Sequence, residues 1–189
     1  QVYCAGTCDE ICGGECANEL GDVNEDGAVN VLDIVGTVNH ILGNSFLVEC
    51  GLSAADFNQD GAINVLDIVG IVNTILAPRS VNDATSAVII GDGNQTILHA
   101  DGYIGGVQMR LIHPKNAKIV LDLTDLALVA DYNSRNGETV LVIVEPRDQV
   151  LFTANADFEI AEVIVANSYK EVGVTIPNGF GITKGFPNP

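Results

Sequence analysis

A repeated segment of 21 residues constrains the fold of this chain more than any other feature. Residues 22–42 read DVNEDGAVNVLDIVGTVNHIL, and residues 56–76 read DFNQDGAINVLDIVGIVNTIL; they align without a gap, and 16 of the 21 positions are identical. A duplication of this kind indicates one supersecondary unit that is used twice and buries its apolar face against its own copy. The first half of each copy is rich in Asp, Asn and Gly, whereas the second half is apolar.

The first twelve residues of each copy have the layout of a calcium-binding loop. Asp, Asn and Asp occupy loop positions one, three and five, Gly occupies position six, Asn position nine and Asp position twelve. Alternate side-chain oxygens can converge on one hard cation, position seven supplies a carbonyl oxygen, and Gly permits the sharp turn. Magnesium is disfavoured because it demands a smaller octahedron. A solvated turn is the alternative for a single copy, but two copies in register predict two calcium sites.

An amphipathic helix of about ten residues is predicted after each loop. The apolar residues of the two copies recur at helical spacing: Ile34, Val35, Val38, Ile41 and Leu42, and then Ile68, Val69, Val72, Ile75 and Leu76. Gly43 ends the first helix and Pro78 the second. The residues before each loop leave room for a turn at most, so each copy is half of an EF-hand.

This duplicated half-EF-hand resembles the dockerin type I family over residues 21–77. Dockerins are non-catalytic, fold around two calcium ions and insert their paired helices against a cohesin β-sandwich. For site one, the resemblance implies the ligands Asp22, Asn24, Asp26, the carbonyl of Ala28, Asn30 and Asp33. For site two, it implies Asp56, Asn58, Asp60, the carbonyl of Ala62, Asn64 and Asp67.

The chain departs from the family at loop positions ten and eleven. Cellulosomal dockerins commonly have Ser, Thr or other small polar residues there, where the cohesin is recognised, but this chain has Val31-Leu32 and Val65-Leu66. These apolar pairs argue against a cellulosome role. They favour an apolar contact with another domain of the chain or with a neighbouring molecule; the alternative is that they complete the core of the module.

Four of the five cysteines, Cys4, Cys8, Cys12 and Cys16, lie in the first 16 residues at a spacing of four. Clustered cysteines in a Gly-rich, acidic segment favour disulfides and an oxidising compartment, with a four-thiolate metal site as the alternative. In some secreted relatives of the dockerin module, a cysteine before each calcium loop staples the two halves. Cys16 and Cys50 each lie six residues before the first Asp of a loop, so the resemblance implies a Cys16–Cys50 bridge.

Charge divides the chain into two parts. The chain has 25 acidic and 8 basic residues and a formal net charge of −17, and residues 1–78 contain no Lys or Arg. Such a polyanion repels nucleic acid and anionic membranes, which excludes both as partners. The change in charge at Pro78-Arg79 predicts a module boundary.

Beyond residue 81, short apolar runs alternate with turn signals, which predicts an antiparallel β-sandwich. The nine predicted strands are residues 88–90, 96–99, 106–112, 117–123, 126–130, 139–144, 150–152, 159–165 and 173–176. The sequence Gly-Gly-Val-Gln-Met at 105–109, near an early strand, and an acid-rich late hairpin resemble a cohesin-type sandwich. Another immunoglobulin-like sandwich is the alternative.

We therefore predict an α+β multidomain chain. Its parts are a Cys-rich segment at 1–20, the dockerin-like module at 21–77, a linker at 78–87, the sandwich at 88–178 and an extended tail at 179–189. The start at Gln1 predicts a processed, secreted chain, and the ending Phe-Pro-Asn-Pro resembles the opening of a type IX secretion sorting domain of bacterial proteins. We expect an extracellular location, at the cell surface or in a filament, with no transmembrane segment.

The sequence predicts no catalytic set. His99 and His113 lack a Ser or Cys placed as a nucleophile, and the sandwich has no Trp on which a sugar would stack. Asn94 begins an N-x-Thr sequon in a predicted turn and is a candidate glycan attachment site, with a plain turn asparagine as the alternative.

The predicted function is therefore structural. If the linker Ala77–Ser80 is too short for the two modules to meet within one chain, the calcium module docks on the sandwich of the next copy and the chain polymerises head to tail. The alternatives are an adaptor that attaches to a separate cohesin-bearing scaffold and a carbohydrate-binding accessory module.

Overall fold

The computed structural model describes residue 16, residues 19–76 and residues 81–177. Within these residues, three helices come first: α1 (Val31–Ile41), α2 (Cys50–Ala55) and α3 (Val65–Leu76). Nine strands follow: β1 (Ser86–Asp92), β2 (Gln95–Ala100), β3 (Gly106–Ile112), β4 (Leu121–Leu123), β5 (Val129–Arg135), β6 (Glu138–Val144), β7 (Val150–Ala154), β8 (Glu159–Ala166) and β9 (Gly173–Thr175). Among the described residues, no helix has the length and apolar character needed to span a membrane.

The two long helices begin directly after the acidic loops because the last loop residues cap them. The Asn30 side chain accepts a hydrogen bond from the Leu32 N–H (2.9 Å), and the Asp33 carboxylate accepts one from the Asn30 N–H (2.8 Å). This reciprocal pair is a capping box. The second copy repeats both bonds through Asn64 and Asp67. The residues that close each loop therefore also fix the first turn of the helix.

The segment before the second loop is more ordered than the sequence indicated. Only a turn was expected there, but Cys50–Ala55 forms the six-residue helix α2. Its Ala54 carbonyl accepts a hydrogen bond from the Gly21 N–H at 3.0 Å. A Cβ on Gly51 would lie 2.9 Å from the Val23 carbonyl oxygen, so the helix touches the first loop closely. Helix α2 thus ties the start of loop one to the chain that enters loop two.

A disulfide bond links Cys16 to Cys50, with the two Cα atoms 5.3 Å apart. The bridge implied by the family resemblance is confirmed. It joins the segment ahead of loop one to the first residue of α2. Cys4, Cys8 and Cys12 lie outside the described residues.

The strands form two packed sheets, as predicted. One has five strands in the order β4-β7-β2-β1-β9, and the other has four in the order β5-β6-β3-β8. The short β9 pairs in parallel with β1, with Gly173 opposite Ser86, whereas the other pairings among the nine strands are antiparallel.

Two predicted strands differ in their bounds by three or more residues at one or both ends and are the clearest departures from the prediction. The predicted strand at 117–123 is confined to Leu121–Leu123, and the one predicted at 126–130 lies instead at Val129–Arg135. The second shift arises because Asn136 and Gly137 form the tight turn of the β5–β6 hairpin, with φ of 55° and 87°. The polar residues just before this turn therefore continue the strand.

Two apolar cores share the four-stranded sheet. On β6, Leu141 and Ile143 are fully buried between the two sheets, and Val142 and Val144 are fully buried beneath the helices. Successive strand residues point to opposite faces, so β6 is covered on both sides. The molecule therefore has three layers: the five-stranded sheet, the four-stranded sheet, and the helices α1 and α3.

Candidate functional site: two acidic loops and a docking face

The first acidic loop is wound around its own side chains. The Asp22 carboxylate accepts a hydrogen bond from the Asp26 N–H (3.1 Å), and Asn24 Oδ1 accepts one from the same N–H (2.9 Å). Asp33, which is fully buried, accepts one from the Val23 N–H at 2.8 Å. The side-chain oxygens at loop positions one, three and twelve thus hold the loop backbone in a tight turn.

The second loop repeats this geometry. Asp56 accepts from the Asp60 N–H at 3.1 Å, and Asn58 Oδ1 accepts from the same group at 2.9 Å. Asp67, also fully buried, accepts from the Asn58 N–H at 3.1 Å. This bond matches the one from the Asn24 N–H to Asp33 in the first loop, also at 3.1 Å, so equivalent residues make equivalent bonds in the two copies.

The loop backbones agree at their sharpest turn. Gly27 and Gly61 both have φ of 88°, which is left-handed backbone that favours glycine. Two residues earlier, Glu25 and Gln59 have φ of 61° and 58°. The two loops are thus structural copies as well as sequence copies.

The closing carboxylate of the second loop is held in an electrostatically unfavourable place. Burial raises the pKa of Asp67, and the negative charges of Asp56 and Asp60 raise it further, although N–H groups of Asn64 and Asn58 act in the opposite direction. A nearby cation favours the charged form of such a group. A divalent ion in this loop would therefore offset the repulsion among the three carboxylates.

The chemistry of the donors in both loops fits calcium. Each loop offers carboxylate, amide and carbonyl oxygens, which are the ligands that Ca²⁺ takes in proteins, and residues 1–78 have no Lys or Arg to compete. In the part of the chain that the structure describes, no three Asp, Glu, His or Cys side chains form a metal cluster by themselves. A bound ion would therefore also need the Asn side chains and the carbonyls of Ala28 and Ala62. It would supply the positive charge that keeps each loop closed.

The apolar residues at the start of α3 pack on the outer face of the four-stranded sheet. Val65, Leu66 and Val69 form what we call the docking face; Val65 is fully buried, Val69 nearly so and Leu66 partly. A Cβ on Gly106 would overlap Val65 Cγ2, and a Cβ on Gly105 would lie 2.9 Å from Val69 Cγ1. These two glycines form a depression, here called the glycine groove, that admits the helix at close range.

Polar contacts fix the position of α3 on the sheet. At its N-terminal end, the Val65 N–H donates to Gln108 Oε1 on β3 at 3.1 Å. Near its C-terminal end, Asn73 Nδ2 donates to the Ser168 carbonyl at 2.6 Å. Sequence reasoning missed these roles, although Gly105, Gly106 and Gln108 all lie in the Gly-Gly-Val-Gln-Met segment that carried the cohesin resemblance.

Described residues on both sides of segment 77–80 bind Ser168. Asn73 precedes this segment and donates to the Ser168 carbonyl, while Asp83 follows it and accepts hydrogen bonds from the Ser168 N–H (3.0 Å) and hydroxyl (2.7 Å). The two modules therefore meet within one chain. The premise that residues 77–80 are too short for this contact is wrong.

The first repeat meets the sandwich differently. Asn133 Nδ2 on β5 donates to the carbonyl of Leu42, just after α1 ends, at 2.9 Å. At the start of α1, Val31, Leu32 and Val35 are 48%, 59% and 40% exposed. These three residues, which we call the first-repeat face, are the sequence equivalents of the docking face. Val35 is one of the apolar residues that recur at helical spacing, yet it is exposed because the sandwich covers one copy of this surface and leaves the other uncovered.

His113 lies beside two hydroxyl groups, and this contact was not predicted from the sequence. Its Nε2 lies 3.0 Å from Thr139 Oγ1, which lies 2.5 Å from Ser134 Oγ. Thr139 is fully buried and His113 nearly so. The hydroxyl beside the imidazole is therefore closed to solvent, and the contact ties the end of β3 to the β5–β6 hairpin.

Asn94, the first residue of the sequon, lies in a turn, as predicted. Asn94 is exposed in the turn between β1 and β2, and its carbonyl accepts a hydrogen bond from the Ala154 N–H at 3.0 Å. Its side chain is accessible for a glycan or for water.

Two solved structures are similar to part of the chain. One is a non-cellulosomal cohesin from the hyperthermophilic archaeon Archaeoglobus fulgidus, at 12% identity and a TM-score of 0.34, covering 51% of this chain and 83% of that one. The other is a cohesin module of a family 33 glycoside hydrolase from Clostridium perfringens, at 11% identity and a TM-score of 0.28, covering 52% of this chain and 96% of that one.

Sequence comparison finds a similarity for the helical part of the chain. No curated protein sequence matches the chain. The family model of the dockerin type I domain matches residues 20–76. The helical module is thus similar to the dockerin type I family in sequence, as its duplicated loops and helices indicated.

Proposed function

We propose that this chain is a secreted, non-catalytic, calcium-binding assembly protein in which a dockerin-like module docks on a cohesin-like sandwich. The observation that carries the proposal is the fit of the docking face into the glycine groove, supported by the hydrogen bond from Val65 to Gln108. A module and a sandwich that complement each other need no further protein to assemble. The proposed units are the module at 21–77, the linker at 78–87 and the sandwich at 88–178.

Docking within one chain and docking between chains would use the same contact, so the two compete. Within one chain, the short linker keeps the module at a high effective concentration near its own sandwich. At high protein concentration, the module of one copy can exchange onto the sandwich of the next. Such a contact is heterologous and gives a filament when its rotation does not close. Head-to-tail assembly by exchange is the mechanism we propose.

Light scattering across a wide range of protein concentrations, in calcium, tests the assembly. We expect the mass of the wild-type chain to rise with concentration. Val69→Asp should prevent the rise, because it would bury a charge in the glycine groove. Val35→Asp, at the equivalent position of the first repeat, should assemble like the wild type. A wild-type chain that stays monomeric throughout would reject self-assembly.

The first-repeat face favours a second candidate function. Val31, Leu32 and Val35 repeat the docking face but are exposed to solvent. They would allow the closed chain to attach to a cohesin domain of a separate scaffold, as an adaptor. Capture of the chain by a separately produced cohesin domain should then be lost in Val35→Asp and kept in Val69→Asp. Capture that neither substitution weakens would reject this function.

The extracellular location is also a proposal. The Cys16–Cys50 bridge supports it, since structural disulfides persist mainly in oxidising compartments. Calcium supports it too, because modules with few acidic ligands suit the high calcium levels outside cells. Immunodetection of the chain in culture medium and cell fractions, with a cytoplasmic marker as control, tests it.

A further inference from the structure

The second acidic loop leads directly into the docking face on the sandwich, whereas the first loop does not. We propose that calcium in the second loop is coupled to docking, whereas calcium in the first loop stabilises the helical module alone. This inference rests on the proposed calcium-binding function and adds a regulatory role for one of its two sites.

The second loop continues directly into the docking face. Asn64 and Asp67 occupy loop positions nine and twelve, and the two residues between them belong to the docking face. The Val65 N–H, next to Asn64, donates to Gln108 on the sandwich at 3.1 Å. Asn64 and Asp67 also bond each other across this first turn of α3. An ion that fixes Asn64 and Asp67 therefore also fixes the residues that enter the groove.

The first loop lacks this continuity. The residues at its positions ten and eleven, Val31 and Leu32, are about half exposed. The first repeat instead contacts the sandwich where Asn133 donates to the Leu42 carbonyl, beyond the far end of α1. A helix of 11 residues is about 16 Å long, so this contact is remote from loop one.

Thermodynamic linkage makes this difference measurable as a difference in how the calcium affinities of the two loops depend on docking. A ligand shifts an equilibrium only if it binds the two states with different affinity. Docking restrains the second loop, so the docked state should bind calcium there more tightly, and calcium should strengthen docking by the same factor. The first loop has the same surroundings in the docked and undocked states, so its calcium affinity should not change on docking.

Calcium titration of the full chain by calorimetry tests the asymmetry. Asp26→Ala leaves only the second site, and Asp60→Ala leaves only the first; Asp26→Asn and Asp60→Asn serve if an alanine variant does not fold. Docking is weakened in each background by Gly106→Ala and, independently, by Gln108→Ala. Gly173→Ala is the matched control, because a Cβ there meets no atom within 4 Å.

With only the second site present, both docking variants should weaken calcium binding by about tenfold, within the usual range of coupling factors. With only the first site present, they should change it by less than about twofold, and the Gly173→Ala control should change neither. Equal shifts at the two sites, or a shift at neither, would overturn the coupling while leaving calcium binding intact. Absence of calcium binding in both backgrounds would overturn the calcium-binding function itself.

Discussion

Val65 occupies the space that a side chain on Gly106 would fill. A Cβ at this glycine would overlap Val65 Cγ2 and would lie 3.3 Å from Val69. Both valines are almost fully buried, although they belong to the helical module and the glycine begins a strand of the sandwich. The absence of one methyl group thus allows the third layer of the molecule to pack.

Gly106→Ala should therefore destabilise the docked state. Inserting a methyl group into a packed contact typically costs about 1–3 kcal/mol. We expect the free energy of unfolding of the calcium-loaded chain, measured with urea, to fall by about that amount. Gly173→Ala, at an open position, should change it little. Equal unfolding midpoints for Gly106→Ala and wild type would contradict the close packing of Val65 against Gly106.

A buried hydroxyl gives the second prediction. Thr96 is fully buried, and its hydroxyl has no hydrogen-bond partner among the described residues. An unpaired hydroxyl that has lost its water costs free energy. Thr96→Val, which keeps the shape, should raise the free energy of unfolding by about 1 kcal/mol in urea titrations.

Thr139→Val is the matched control for this effect. Thr139 is equally buried, but its hydroxyl lies within hydrogen-bond distance of His113 Nε2 and Ser134 Oγ. Its removal leaves partners unsatisfied and should lower the free energy of unfolding by about 1–3 kcal/mol. Shifts of the same sign in the two variants would show that hydrogen bonding does not decide the outcome.

The third prediction concerns the Cys16–Cys50 bridge, which closes a loop with a sequence separation of 34. In the chain-entropy model, such a cross-link stabilises by about 3–4 kcal/mol. The double variant Cys16→Ser, Cys50→Ser should therefore have a lower melting temperature than the wild type in thermal scans with calcium. Non-reducing peptide mapping gives an independent check, and a free Cys50, or Cys50 joined to Cys4, would contradict the bridge.

Local sequence patterns predicted much of this fold. The acidic loops and the two long helices follow from the repeat, since Asn30 and Asp33 cap α1 through bonds between near neighbours. The strands follow from alternation and turn residues, and the bridge from equivalent places in the repeat. Each of these depends on contacts within one element or between the two copies.

The contact between module and sandwich could not be predicted in the same way. Val35 and Val69 lie at the same place in the identical segments 30–36 and 64–70, yet one is 40% exposed and the other 2%. Their difference is set by a tertiary partner and not by local pattern. One signal did exist: the unbroken apolar run Val140–Val144 on β6 is typical of a strand covered on both faces.

A pH effect is the fourth prediction. The Asp101 carboxylate accepts hydrogen bonds from the hydroxyl (2.5 Å) and N–H (2.7 Å) of Thr85 and from the N–H of Ser86 (3.0 Å). These bonds, with the Thr85 hydroxyl first, hold the pKa of Asp101 well below its usual range. Because the folded-state pKa is lower than the unfolded one, this contribution is present above the unfolded value and is lost as pH falls through the folded value.

Asp101→Asn should therefore lower the melting temperature at pH 7. The gap between the variant and the wild type should narrow as pH falls below about 4, the usual pKa of an unfolded Asp. Thermal scans of both proteins from pH 7 to pH 3 measure this gap. A gap that stays constant over the whole range would contradict the assignment of the stabilisation to the Asp101 carboxylate.

The last prediction is that chelation unfolds the helical module but not the sandwich. The buried carboxylates of Asp33 and Asp67 have no Lys or Arg within residues 1–78 to offset their charge, so we expect the module to need the proposed cation. The sandwich has its own core between the two sheets. In excess EGTA, amide hydrogen exchange should speed up in α1 and α3 and stay slow in β3 and β6.

The double variant Asp26→Ala, Asp60→Ala should behave in calcium as the wild type does in chelator, and calorimetry should show that both tight sites are lost. Loss of the module uncovers Val142 and Val144 on β6, so the sandwich should bind a hydrophobic dye in chelator that it excludes in calcium. Helices that keep their protection in EGTA, or two tight sites that survive in the double variant, would show that the acidic loops hold their shape without calcium and that the module folds on its apolar core alone.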